Sequence, residues 1–112
     1  MIVKFIDAEN VGISYIKTLT ESLENKVLVF SRQENIMQIC QHHHYVCISD
    51  YSAGSNQADF HIISHLSRIL CSLSDKQRLS TQMEIHTNDA ALLLAFQSIC
   101  KEFHCGCRAV QT

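Results

Sequence analysis

Three aspartates, Asp7, Asp59 and Asp89, stand where a carboxylate is costly unless something compensates it. Asp7 closes the apolar run Ile2-Val3-Lys4-Phe5-Ile6 and leads into Ala8-Glu9-Asn10. Asp59 is followed by Ile62, Ile63, Leu66, Ile69, Leu70 and Leu73, and Asp89 at the same offsets by Leu92, Leu93, Phe96, Ile99, Cys100 and Phe103. Those offsets form one apolar helix face at 3.6 residues per turn, with the acid in the first turn. A carboxylate on a face that packs inward needs a cation, a metal or hydrogen-bond donors. The plainer reading is that the helix dipole and capping favour an acid there, with Asn56 the cap for Asp59 and Thr87 for Asp89. Three acids at one crevice shift the balance, because they repel one another unless a divalent cation neutralises them. Oxygen ligands completed by water favour Mg²⁺ or Mn²⁺ over zinc.

The order of elements brings these acids to one rim of a sheet. The first strand, Ile2 to Ile6, precedes a helical pattern from Val11 to Leu23 that Asn25 is suited to end. Lys26 to Phe30 reads as a second strand, and Ser31 and Glu34 have capping-box spacing before a helix through Ile36, Met37, Ile39 and Cys40. Tyr45 to Ser49 is a third strand, and Asp50 to Ser55 the longest polar connection. A long helix from Asn56 to Leu73, a charged loop from Ser74 to Gln82, a strand from Met83 to Thr87, a helix from Asn88 to Phe103 and a short strand at Arg108 to Val110 complete the chain. Strictly alternating strands and helices predict an α/β fold, a three-layer α/β/α sandwich around a parallel sheet of four to five strands. In such a sheet the carboxyl ends of the strands form the ligand-binding rim, and all three acids fall there. Lys26, His42, His43, His44, Lys76, Arg78, His104 and Arg108 are assigned to the opposite rim.

With 112 residues, 46% of them hydrophobic, the chain makes one domain, residues 1–112, with a single core to build. No apolar run approaches the roughly 20 residues of a membrane span, and no signal peptide is evident, so the expectation is a cytoplasmic protein with no membrane association. Of the 6 cysteines, Cys40, Cys71 and Cys100 fall in helical apolar patterns and Cys47 in a strand, as small core residues of a reducing compartment would. Cys105-Gly106-Cys107 lacks the second ligand pair of a zinc ribbon. A net charge of -2 argues against a general nucleic-acid coat protein but leaves room for a local basic patch.

Asp7-Ala8-Glu9-Asn10 after the first strand, Asn56-Gln57-Ala58-Asp59-Phe60 opening the third helix and Thr87-Asn88-Asp89 after the fourth strand resemble, in order and spacing, the PIN-like nucleases, especially their NYN branch. The resemblance spans nearly the whole chain. It implies a sheet whose first and fourth strands are central neighbours, and Mg²⁺- or Mn²⁺-dependent hydrolysis of phosphodiesters, usually in RNA. On this reading Asp7, Asp59 and Asp89 are catalytic metal ligands, Glu9 (or Asp50) a fourth carboxylate, and Asn10, Asn56, Thr87 and Asn88 supporting residues. Arg32 and Tyr51 are the substrate-binding candidates, Arg32 as the one clear cation on the acidic rim and Tyr51 by stacking on a base or, equally, packing over the sheet edge. Two departures matter: Ala91 stands where the family often carries a second acid, and Asn56 where many NYN members carry lysine. A homodimer or protein partner would supply a cationic track. Family analogy points to a toxin or defence component of a small bacterial system.

Two other function classes fit parts of the pattern: a catalytically inactive PIN-like module that binds RNA or protein, and a receiver-like signalling domain with Asp50 as its phosphorylated residue. His42-His43-His44 reads as a solvated loop, His61 and His65 as a surface pair away from Asp59, and Lys4 as an unexplained cation inside the central strand.

Overall fold

A computed structural model describes residues 1–19, 25–54 and 56–111. Its five strands are β1 (Ile2–Asp7), β2 (Asn25–Phe30), β3 (Val46–Ile48), β4 (Gln82–His86) and β5 (Gly106–Val110). They form one parallel sheet in the order β3-β2-β1-β4-β5. The chain winds outward from β1 in one direction and then, from β4, in the other. The crevice between β1 and β4 is therefore the topological switch point. A receiver-like sheet places its third strand at the centre, whereas β3 here is an edge strand and carries Asp50 away from that crevice.

The strand pleat explains the two layers of core. Odd positions of β1, Val3 and Phe5, join Leu28, Phe30, Met83 and Ile85 under α4 (Gln57–Ser72) and α6 (Ala90–Glu102). Phe5 stacks on Phe30 and meets the edge of Phe96 at 5.1 Å. Even positions face α1 (Ala8–Val11), α2 (Ile13–Ile16) and α3 (Glu34–His43), where Ile6, Val27, Val29, Ile16, Ile36 and Cys40 pack. Asp7 is odd, so its side chain belongs to the α4 and α6 face. α5 (Asp75–Leu79) lies within the expected charged loop and holds a true capping box, Ser74 with Gln77.

Several boundaries depart from expectation for identifiable reasons. The first helix begins at Ala8 and breaks at Gly12, whose φ of 85° interrupts it before α2. α2 ends at Ile16, short of the expected Leu23; residues 20–24 lie outside the described residues, and Asn25 opens β2 instead of ending a helix. Ser31 is not the cap of α3; Gln33 is, and the Ser31 hydroxyl accepts the Gln33 N–H as a local turn. Of the cysteines, Cys40 and Cys100 are buried, but Cys71 is exposed on α4.

Lys4 gains an account. It lies beside Glu84 in the register of β1 and β4, and Arg108 of β5 is the neighbour of Glu84 on its other side. Glu84 and His86 are both buried, and His86 bridges the Tyr15 hydroxyl on Nδ1 at 2.5 Å and Glu84 Oε1 on Nε2 at 3.0 Å. The even face of β4 thus carries a polar chain flanked by two cations. Arg108 consequently sits within the sheet and not on the rim to which its position had assigned it.

Candidate active site

The acid site is built from the ends of three elements. β1 delivers Asp7, only 4% exposed, at the mouth of the crevice. Thr87, fully buried just after β4, donates its hydroxyl to Asp7 Oδ2 at 2.8 Å and accepts the Asp89 N–H at 3.1 Å. One hydroxyl therefore ties the carboxyl end of β1 to the start of α6. Asn10 adds a second tie, its Oδ1 accepting the Asn88 N–H at 2.8 Å.

Asp89 is the N-cap of α6 and not a residue of its first turn, as the periodicity had suggested. Its Oδ1 accepts the N–H groups of Ala91 and Leu92, so it caps the helix directly, while Thr87 holds its backbone. Asn56 occupies the cap position of α4 in a left-handed conformation, φ 65°, and makes no side-chain cap bond. Its expected capping of Asp59 is not realised. In α4 the fully packed line is Ile62, Leu66 and Leu70 below Ala58, which leaves Asp59 at its margin, half-buried.

Asp7, Asp59, Asp89, Glu9, Asn10 and Asn56 line one shallow cleft of about 210 Å³. The carboxyl of Asp59 is pushed up to about 6, by burial first and then by Asp7 and Asp89, with Asp89 in hydrogen-bond reach. Burial also raises Asp7; the Thr87 hydrogen bond opposes this, and Asp89 and Glu9 add to it. Burial is the main cause of both shifts, and the neighbouring carboxylates, with no cationic side chain between them among the described residues, add to it. The donors suit a hard divalent cation in kind: three aspartates and two amide side chains, all offering oxygen. As the side chains stand, however, no group of three or more His, Cys, Asp or Glu among the described residues is arranged to hold a metal ion.

Glu9 turns partly away. Its Oε1 accepts the Tyr51 hydroxyl at 3.0 Å and the Arg32 N–H at 3.2 Å. Tyr51 is 7% exposed, with its hydroxyl on Glu9 of α1 and its ring centroid 5.3 Å from that of His61 on α4. It is too enclosed to stack on a base. Arg32 is exposed and, with Glu9 and Tyr51, lines a neighbouring recess of about 310 Å³. His61 and His65 are not a surface pair: both are half-buried, His65 meets the Phe30 ring edge-on, and His61 Nδ1 is buried without a hydrogen-bond partner among the described residues. His42 and His43 end α3 and His44 is its left-handed cap, on the rim opposite the acids.

Periodicity did not single out Phe60. It is 63% exposed, next to Asp59, and helps to wall a second, chiefly apolar cavity of about 450 Å³ that also includes Ala91 and shares Asn56, Asp59 and Asp89 with the acid cleft. The available signal was an aromatic side chain just off the packed stripe of α4. Among the described residues no helix is long and apolar enough to cross a membrane. No family model, curated protein or solved structure matches this chain.

Proposed function

We propose that the chain is a metal-dependent nuclease of the PIN-like type that hydrolyses phosphodiester bonds of RNA, working in the cytoplasm. The observation that carries this reading is the convergence of Asp7, Asp59 and Asp89 on one cleft at the β1/β4 switch point, with Asp59 pushed up to about 6. Acids so arranged lack positive charge, and a divalent cation is the simplest supply of it. Bound there, Mg²⁺ or Mn²⁺ would polarise a phosphate oxygen and lower the pKa of its water.

The roles of the chain's own residues follow from their hydrogen bonds. Asp7 is oriented by Thr87, which engages one oxygen and leaves the other for a ligand. Asp89 caps α6 through Oδ1, which fixes its side chain over the cleft. Asn10 holds the loop after β4 against α1 through Asn88. Glu9 is a supporting acid whose hydrogen bonds anchor Tyr51 and the loop at Arg32. A homodimer or a protein partner would add to the cationic surface that Arg32 begins.

The test is cleavage of a labelled single-stranded RNA by wild type and Asp89→Asn with Mn²⁺, Mg²⁺ or EDTA. Asparagine caps a helix as well as aspartate does, so the substitution removes charge without removing the cap. Metal-dependent cleavage lost in the variant supports the nuclease. Binding of the RNA without cleavage supports the second reading, an inactive PIN-like binding module. The engagement of Asp89 and Glu9 with protein donors and the absence of an acid at Ala91 favour that reading.

A further inference from the structure

We propose that the apolar cavity between the first turns of α4 and α6 is a subsite for one unpaired nucleobase of single-stranded RNA, stacked on Phe60; the inference rests on the nuclease reading of the adjoining acids. Phe60 is 63% exposed, and Ala91 and Ala95 stand one helical turn apart on the same face of α6 in the same cavity. Two methyl groups in place of longer side chains leave a space of about 450 Å³ beside the ring. Apolar walls with a few polar groups at the rim are the usual form of a site for a flat organic ligand.

The rim supplies the polar groups. Asn56, Asp59 and Asp89 border both this cavity and the acid cleft, so an occupant of one lies next to an occupant of the other. A nucleotide has that shape: its phosphate belongs at the cleft, and its base, apolar on both faces, in the slot. The amino and ring N–H groups of a base are donors, and the Asp59 and Asp89 carboxylates and the Asn56 carbonyl are acceptors. A folded protein partner would need a contact area of about 1,000 Å² or more, whereas this cavity offers room for a side chain or a base.

The experiment measures fluorescence anisotropy of a labelled eight-nucleotide adenosine RNA, and of copies made abasic at each position in turn, with Mn²⁺ in an Asp7→Asn background that limits turnover. Phe60→Ala removes the platform and Ala95→Phe fills the slot without touching the acids. Both are expected to weaken the intact RNA by roughly 5- to 100-fold and to leave one abasic copy unaffected. Equal affinities across all proteins and all copies overturn the subsite. Cleavage is followed in parallel without the Asp7 substitution. RNA cleaved equally well with and without Phe60 overturns the subsite and keeps the nuclease. Base-dependent binding through Phe60 without any cleavage keeps the subsite and overturns the nuclease. If Phe60→Ala instead dissociates a dimer while RNA affinity is unchanged, the cavity is a contact between copies and the proposal is wrong.

Discussion

Thr87 and Asp7, 80 positions apart, meet through a 2.8 Å hydrogen bond buried at the carboxyl ends of β4 and β1. The hydroxyl that donates to Asp7 also accepts the Asp89 N–H, so one side chain sets the spacing between two of the acids.

Thr87→Val keeps the shape and removes both bonds. Because Asp7 then stays buried with one donor fewer, the variant should unfold about 1–3 kcal/mol more easily in urea at pH 7. Loss of the bond that opposes burial should also raise the Asp7 pKa further, which a carboxylate NMR titration would record. A Thr87→Val protein as stable as wild type would show that the bond contributes nothing.

Asp59 should add an inverse pH dependence to stability in one window. Asp59 holds its proton to about pH 6 when folded but only to about 3.9 when unfolded, so the folded state binds more protons between those values. The contribution of Asp59 to the melting temperature without metal, read as wild type against Asp59→Asn, should therefore fall as pH rises from about 4 to about 6. Asp59→Asn should melt higher than wild type at pH 7. A difference between the two proteins that stays constant through the window would contradict the raised Asp59 pKa.

Metal should reverse the penalty. At a concentration 100-fold above its dissociation constant, a cation that binds only the folded state adds about 2.7 kcal/mol. For a domain of this size Mn²⁺ or Mg²⁺ should thus raise the melting temperature by roughly 10 °C, and Asp7→Asn should diminish the shift. No shift in wild type at millimolar metal would count against a cation at the cleft.

The polar chain on β4 should slope the other way. Burial first, then Lys4 and Arg108, hold His86 below the ordinary histidine value, against the pull of Glu84. The unfolded chain therefore takes up the proton first, and stability is lost as pH falls below about 6.5. His86→Gln should remove that loss. Glu84→Ala, which leaves His86 buried without its carboxylate partner, should cost about 1.5–3 kcal/mol in urea unfolding.

Thiol reactivity offers a check on the packing. Burial pushes the Cys40 thiol up to about 12, with Cys47 adding to it, while Cys71 lies exposed on α4. In the native protein iodoacetamide should modify Cys71 well before Cys40 or Cys100, as mass spectrometry of timed samples would show. Rapid labelling of Cys40 under native conditions would place it outside the core.

The sheet was legible because β1, β2 and β3 are short runs rich in Val and Ile, as buried parallel strands are, while β4 and β5, with one β-branched residue each, were marked by their places between helical patterns. That the acids share one rim followed from the alternation of strands and helices, whereas the pairing of β1 with β4 that draws them together was an expectation of the PIN-like resemblance, and the sheet has that pairing. What periodicity could not resolve was the last residue or two of each element. It placed Asp89 inside a helix because the apolar offsets fit, but an acid one position earlier can instead cap that helix, and the offsets are the same. Gly12 broke the first helix because its positive φ lies outside the helical range, although the surrounding pattern reads through it. Tyr51 became a buried partner of Glu9 through a contact 42 positions long, which no local spacing encodes. Lys4 made sense only when Glu84 appeared beside it in the sheet.

The central place of β1 has a consequence for synthesis. Its partners on either side, β2 and β4, are separated by nearly half the chain, and the three acids come from its beginning, middle and last quarter. β1 is synthesised before β4 and must wait for it before Asp7 acquires its Thr87 tether and its carboxylate neighbours. Contacts of such long sequence separation form late in folding. The nascent chain therefore carries Asp7, Glu9 and Asn10 without the assembled cleft, and whatever chemistry the cleft performs begins only when the domain closes.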